Sequence, residues 1–148
     1  MAVPTGSGTE VLKAHSFDDA HGTVALIIGV QHHTYTVINS IACAVSFGSE
    51  SDTGTFQITG NGNFASGTGH AMRIAVFNIT AGQTFVMNDK FVFFGAEPAA
   101  YTEPMSDAAE QVSIAAQGSS TVQTYQLLTT DSAAIFDVHV AFIDQDWT

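Results

Sequence analysis

Ser132-Ala-Ala-Ile-Phe-Asp-Val-His-Val-Ala-Phe-Ile-Asp-Gln-Asp-Trp-Thr148 is the stretch that decides the fold. Ala134, Phe136, Val138, Val140 and Phe142 all occupy even positions. Asp137 and His139 fall between them. Side chains alternate across a strand, so this pattern predicts one buried face and one partly polar face. A chain that runs to its end in such a strand is expected to have its C-terminal segment built into the core, as in a closed all-β domain.

Working outward, the remaining apolar runs are short and separated by turn signals. Gly22–Val30 predicts a strand apolar on both faces, hence a central one. From Tyr35, the residues Tyr35, Val37, Ile41, Cys43, Val45 and Phe47 alternate with smaller and polar ones and predict a long strand, with the first five of these in the core. Shorter strands follow over 55–59 and 72–79, the latter with Met72, Ile74 and Val76 on one face. Residues 80–83 read as a turn. Segments 84–87 and 90–94 flank Asn88-Asp89, which predicts a tight hairpin. Residues 95–110 form the longest irregular segment, with one helical turn expected over 106–110. Strands over 111–117, 121–128 and 133–143 complete the set. No amphipathic helix of ordinary length is present. Many short strands with turns between them indicate a sandwich or barrel. The expected fold is all-β, a jelly-roll-like β-sandwich over residues 17–148, with an immunoglobulin-like sandwich as the second choice. Residues 1–16, punctuated by Pro4, Gly6 and Gly8, read as an extended N-terminal arm, either frayed or laid on a neighbouring subunit. Val11 and Leu12 would anchor its far end.

A chain of 148 residues fits one domain and needs no disulfide to fold. Cys43 is the only cysteine, so no internal disulfide can form. Lys13, Arg73 and Lys90 stand against 14 acidic residues, for a net charge of −11. Phosphate recognition depends on Lys and Arg, so direct nucleic-acid binding and docking on an anionic membrane are both disfavoured. Residues 1–14 lack the apolar run of a signal peptide, and the run 24–30 is too short to span a bilayer. Charged residues make up only 11% of the chain. Its surface must therefore be largely Thr, Ser, Gln, Asn and Gly, which suits lasting interfaces.

Candidate sites are few. Asp18, Asp19 and His21, with His15 nearby, could offer ligands to a divalent metal, but the spacing fits no known motif. His32-His33 suits a turn with a pH-sensitive contact. The loop 60–69 has the glycines of a phosphate cradle but no following helix. Asp144 and Asp146 share a strand face and could meet one cation. Trp147 is either a lid over the sandwich end or an interface anchor. The chain has no GxSxG elbow, no HExxH and no Walker loop. The reading is therefore non-enzymatic, with no catalytic residue, cofactor or metal assigned and with Val11, Leu12 and Trp147 as interaction residues.

Several phrases carry a family resemblance. The opening MAVPTGSGTEVLK is similar to the openings of small virion proteins of tailed bacteriophages. HHTYTVINSIACAVSF, ITAGQTFVMNDKFVFFG and DVHVAFIDQDW resemble their early strand, later hairpin and closing strand. The resemblance implies a capsid decoration (cement) protein, a homotrimer that binds the major capsid protein on the virion surface and is made in the host cytoplasm. A tail or neck structural protein is the alternative it leaves open. A carbohydrate-binding module is a further reading, supported if Tyr101, Tyr125 or Trp147 share an exposed surface. A small hydrolase is the last, supported if two close carboxylates line a concave pocket.

Overall fold

The computed structural model describes residues 9–46, 51–61, 70–96, 117 and 122–147. Among the described residues, nine strands run β1 (Thr9–Ala20), β2 (Val24–Ile28), β3 (His33–Ser46), β4 (Ser51–Asn61), β5 (His70–Thr80), β6 (Thr84–Met87), β7 (Phe91–Phe94), β8 (Thr124–Thr129) and β9 (Ile135–Asp146). One sheet, A, has the order β1-β9-β3-β6, with β7 also paired to β3; the other, B, has the order β2-β8-β4-β5. All pairings are antiparallel. The nested pairs are β1 with β9, β2 with β8, β3 with β6 and β7, and β4 with β5. That nesting is a long hairpin rolled over into two sheets, which is the jelly-roll arrangement. The sandwich expected from the alternating strands is therefore present.

The core lies between the sheets. Phe136, Val138, Val140 and Phe142 of β9 are all fully buried or nearly so, as their even spacing predicts. Facing them from sheet B are Leu26, Phe56, Ile58, Phe77, Tyr125 and Leu127. The aromatic rings interlock: Phe77 stacks on Phe85 with centroids 4.2 Å apart, and Phe91 meets Tyr125 edge-on at 5.2 Å. Tyr125 places its hydroxyl 2.7 Å from Ser40 Oγ, so its one polar atom is satisfied inside the core. Burial pushes its pKa up.

Five sequence expectations need correction. Residues 9–16 are not an arm but the first part of β1, paired residue by residue with β9 from Thr9↔Asp146. The segment around β2 is not central; β2 is the edge of sheet B, and Ile28 and Val30 are 65% and 51% exposed. In β3, Val37 pairs with Phe142 while Asn39 pairs with Ala141, so Ile38 is an extra residue. Such a bulge inverts the side-chain alternation beyond it. Tyr35 and Val37 are inside as expected, but Ser40, Ala42 and Ala44 replace Ile41, Cys43 and Val45 on the buried face. In β5, a similar break at Ile74 sends Phe77 and Ile79 inward and leaves Met72 and Val76 exposed, with Ile74 itself only partly buried. Finally, β6 and β7 do not form a hairpin. Both pair with β3 in the same direction, so residues 88–90 interrupt one edge strand. The expected helical turn over 106–110 and most of the expected strand 111–117 lie outside the described residues.

Where the two sheets meet at one end, backbones touch. Gly29 N donates to Gln123 O at 2.8 Å, Gln123 N to Gly95 O at 2.9 Å, and Gly95 N to His33 O at 2.8 Å. A Cβ on Gly95 would land 1.8 Å from Val30 O, so only glycine fits there. The buried Gln117 completes the junction: its Oε1 accepts from His32 N and Ala96 N, and its Nε2 donates to His33 O.

Candidate functional site

The β1–β9 ladder gathers the charged residues of sheet A at its two ends. At the Thr9–Asp146 end, Lys13 and His33 flank the mostly buried carboxylate of Asp144. Lys13 Nζ donates to Asp144 Oδ2 at 2.7 Å, and His33 Nδ1 lies 2.7 Å from Asp144 Oδ1. His33 Nε2 is 3.7 Å from Asp146 Oδ1. The cation that Asp144 and Asp146 share is thus an imidazole of the same chain, when protonated. Burial raises the Asp144 pKa, but the bonds and charges of Lys13 and His33 outweigh it and hold the carboxyl below its ordinary value. Beside it, Tyr35 accepts a bond from Val30 N at 3.0 Å. Burial, and then the Asp144 charge, push its phenol up to about 12.

Trp147 closes this end. Its backbone N donates to His32 O at 3.1 Å and its Nε1 to Thr34 Oγ1 at 3.0 Å. Register places Trp147 next to the pair Thr9↔Asp146, so the three expected interaction residues, Val11, Leu12 and Trp147, share one end of sheet A. Val11 and Leu12 are 45% and 70% exposed. Trp147 is half-buried and bonded to its own chain.

At the other end, a break between Phe17 and Ala20 inserts one extra residue into β1. Asp19 takes a left-handed φ of 52° there, which a short polar side chain tolerates, and its N–H donates to Asp137 Oδ1 at 3.1 Å. Asp18, Asp19 and Asp137 then each offer a carboxylate oxygen within 4.8 Å of the others, all exposed. Hydrogen bonding to Asp137, then the charges of Asp19 and Asp137, raise the Asp18 pKa. Neither His15 nor His21 joins this cluster. The His15 ring instead bonds Leu26 O at 2.8 Å across a groove of about 570 Å³ between β1 and β2.

Between the two ends, the outer face of sheet A is almost free of charge. Register aligns Leu12, Ile143, Thr36 and Val92 in one row across four strands. A second row runs Ser16, His139, Ile41 and Val86. Leu12, Val92 and Val86 are 70%, 57% and 48% exposed. Ser16 Oγ lies 2.8 Å from His139 Nδ1, a pairing that no sequence spacing reveals because 123 positions separate the two. Around it the β9 amides belong to ladders on both sides. Tyr125, expected as a possible sugar platform, is wholly inside the core; Tyr101 lies outside the described residues. The loop 62–69 is likewise outside them.

No protein-family model and no curated protein matches this chain. Among solved structures, a chain from the disulfide-linked pili that form Bacillus endospore appendages aligns over 98% of this chain and 95% of its own length. The identity is 12% and the TM-score 0.42. A likeness at that level identifies neither a family nor a function.

Proposed function

We propose that this chain is a non-enzymatic structural subunit of a virion, of the type that decorates a tailed-phage capsid. The observation that carries this reading is the outer face of sheet A, where Leu12, Ile143, Val92, Ile41 and Val86 form exposed or half-exposed rows with few charges among them. Exposed apolar patches of this kind mark contact surfaces. A jelly roll whose buried rings fill its interior offers rigidity to such a face. Many copies bridging neighbouring capsomers would each add stability through the area they bury. With three basic residues against 14 acids, the contact rests on apolar burial and neutral hydrogen bonds more than on ion pairs.

The test is binding of the purified protein to particles stripped of decoration, read as copies per particle across a salt series. Screening shrinks the Debye length from about 10 Å at 0.1 M to about 3 Å at 1 M. Binding in the hundreds of copies should survive 1 M NaCl with less than about a tenfold loss, or about 1.4 kcal/mol. Val92→Glu, which alters an exposed side chain only, should abolish it. Absence of binding at every ionic strength overturns the capsid reading and puts the tail or neck protein ahead, for which a dozen copies or fewer per particle are expected.

A further inference from the structure

Among the described strands, four edges border the two sheets, and three of them are short or broken along their length, which hinders pairing with another chain. β2 is five residues long with a break between Ala25 and Ile27. β5 is bulged at Ile74 beside the exposed Arg73. The β6–β7 edge is interrupted over residues 88–90, which include Asp89 and Lys90. β1 differs. Thr9 to Phe17 pair with β9 in nine consecutive registered positions without a bulge or a proline. All eight residues from Thr9 to Ser16 are exposed. Lys13, the residue type that most often blunts an edge, has its ammonium held by Asp144 of the same chain. A long, flat, unblunted edge presents a row of N–H and C=O groups to another strand.

We infer that β1 pairs antiparallel with β1 of a second copy, joining two A sheets into one continuous sheet across a two-fold axis. A strand that adds to this edge needs a matching unbroken run, and among the described edge strands β1 has the longest, nine registered positions, so a second copy of β1 is the partner this chain itself supplies. A strand meeting its own copy antiparallel closes after two subunits and does not propagate. Apolar side chains flank the edge: Val11 and Leu12 on β1, and Ile28 and Val30 beside Lys13 and His15 at the β1–β2 groove. The pairing would cover part of this strip along with the backbone groups. Two chains of net charge −11 repel, so the pair tightens as salt rises, the opposite of an acid-on-base contact.

Sedimentation of the full chain over a concentration series tests this, with hydrogen exchange of the β1 amides measured on the same samples. A dimer is expected, with slowed exchange within residues 9–17 as it forms and a dissociation constant that falls between 0.05 and about 1 M NaCl. Leu12→Lys should weaken the dimer at least about tenfold, because a lysine there blunts the edge. Val92→Glu, at the far side of the sheet, should leave it intact. A monomer at all concentrations overturns the inference. So does a trimer, the state the phage resemblance implies. A dimer whose β1 amides exchange as fast as in the monomer also overturns it, because strand pairing would give the edge amides hydrogen-bond partners and so slow their exchange.

Discussion

The two ends of the β1–β9 ladder carry acids in opposite electrostatic settings. At the Thr9–Asp146 end the Asp144 carboxylate sits between Lys13 and His33 and titrates below its ordinary value. At the Ala20–Phe136 end the carboxylates of Asp18, Asp19 and Asp137 crowd together, and Asp18 titrates above its ordinary value. Both ends belong to the same two strands and cover the same core. The local partner, and not the fold, therefore decides whether an acid stabilises this ladder or strains it.

The comparison assumes that the core beneath both ends is equally tight. Phe142 lies under the paired end and Phe136 under the crowded end, and each is at most 1% exposed. Replacing either by Ala should cost about 3–5 kcal/mol, measured by chemical denaturation. Similar losses at the two positions would leave charge as the distinguishing variable. A cost below about 1 kcal/mol at one of them, as for a surface position, would break the comparison by showing that end to be loose.

Asp144→Asn is the next largest test. It removes the charge that Lys13 and His33 face. The expected loss at pH 7 is about 1–2 kcal/mol, under the full range for charged hydrogen bonds because the Lys13 side chain is 44% exposed. The folded-state pKa of Asp144 is depressed, so its contribution is complete above the ordinary value of 3.8 and is lost as pH falls through and below that value. The wild-type and variant stability curves should therefore converge in acid. A gap that stays constant from pH 7 to pH 3 would mean that the asparagine perturbs packing and that the ion pair contributes nothing.

What the sequence made legible follows the regularity of each strand. β9 keeps strict alternation from Ala134 to Phe142, and its buried face was readable directly. β3 begins as regularly, but the single extra residue at Ile38 inverts everything after it. No residue type at 38 signals that insertion. A clue was the run of small residues Ser40, Ala42 and Ala44, which leave room for Tyr125 from the opposite sheet and for Phe136 beside Ala44 on β9. β1 resisted reading for a different reason. Its inward positions include Lys13 and His15, which reach the open end of the sandwich, while Leu12 points outward, so polarity does not alternate with the pleat. The Asp144 hub and the Asp18–Asp137 cluster join residues more than 110 positions apart, beyond any local spacing argument. Only their local parts are legible in the sequence: the shared face of Asp144 and Asp146, the adjacent Asp18 and Asp19, and His33 as a contact-forming histidine.

The smallest expected effect lies at the crowded end and has the opposite sign. Asp18 has a raised folded-state pKa, so its favourable contribution is present below the ordinary value of 3.8 and is lost as pH rises above it. At pH 7 the three carboxylates repel, and Asp18→Asn should raise the melting temperature slightly. At pH 3, below the raised pKa of Asp18, its carboxyl is protonated and the variant and wild type should melt together. The gap at pH 7 should also narrow at high salt, because these side chains are exposed and their repulsion is screened. A variant that melts lower at pH 7, with a chelator removing the difference, would show that the acids hold a cation in solution. The two ends of the ladder would then be alike, each acid group neutralised by its own positive partner.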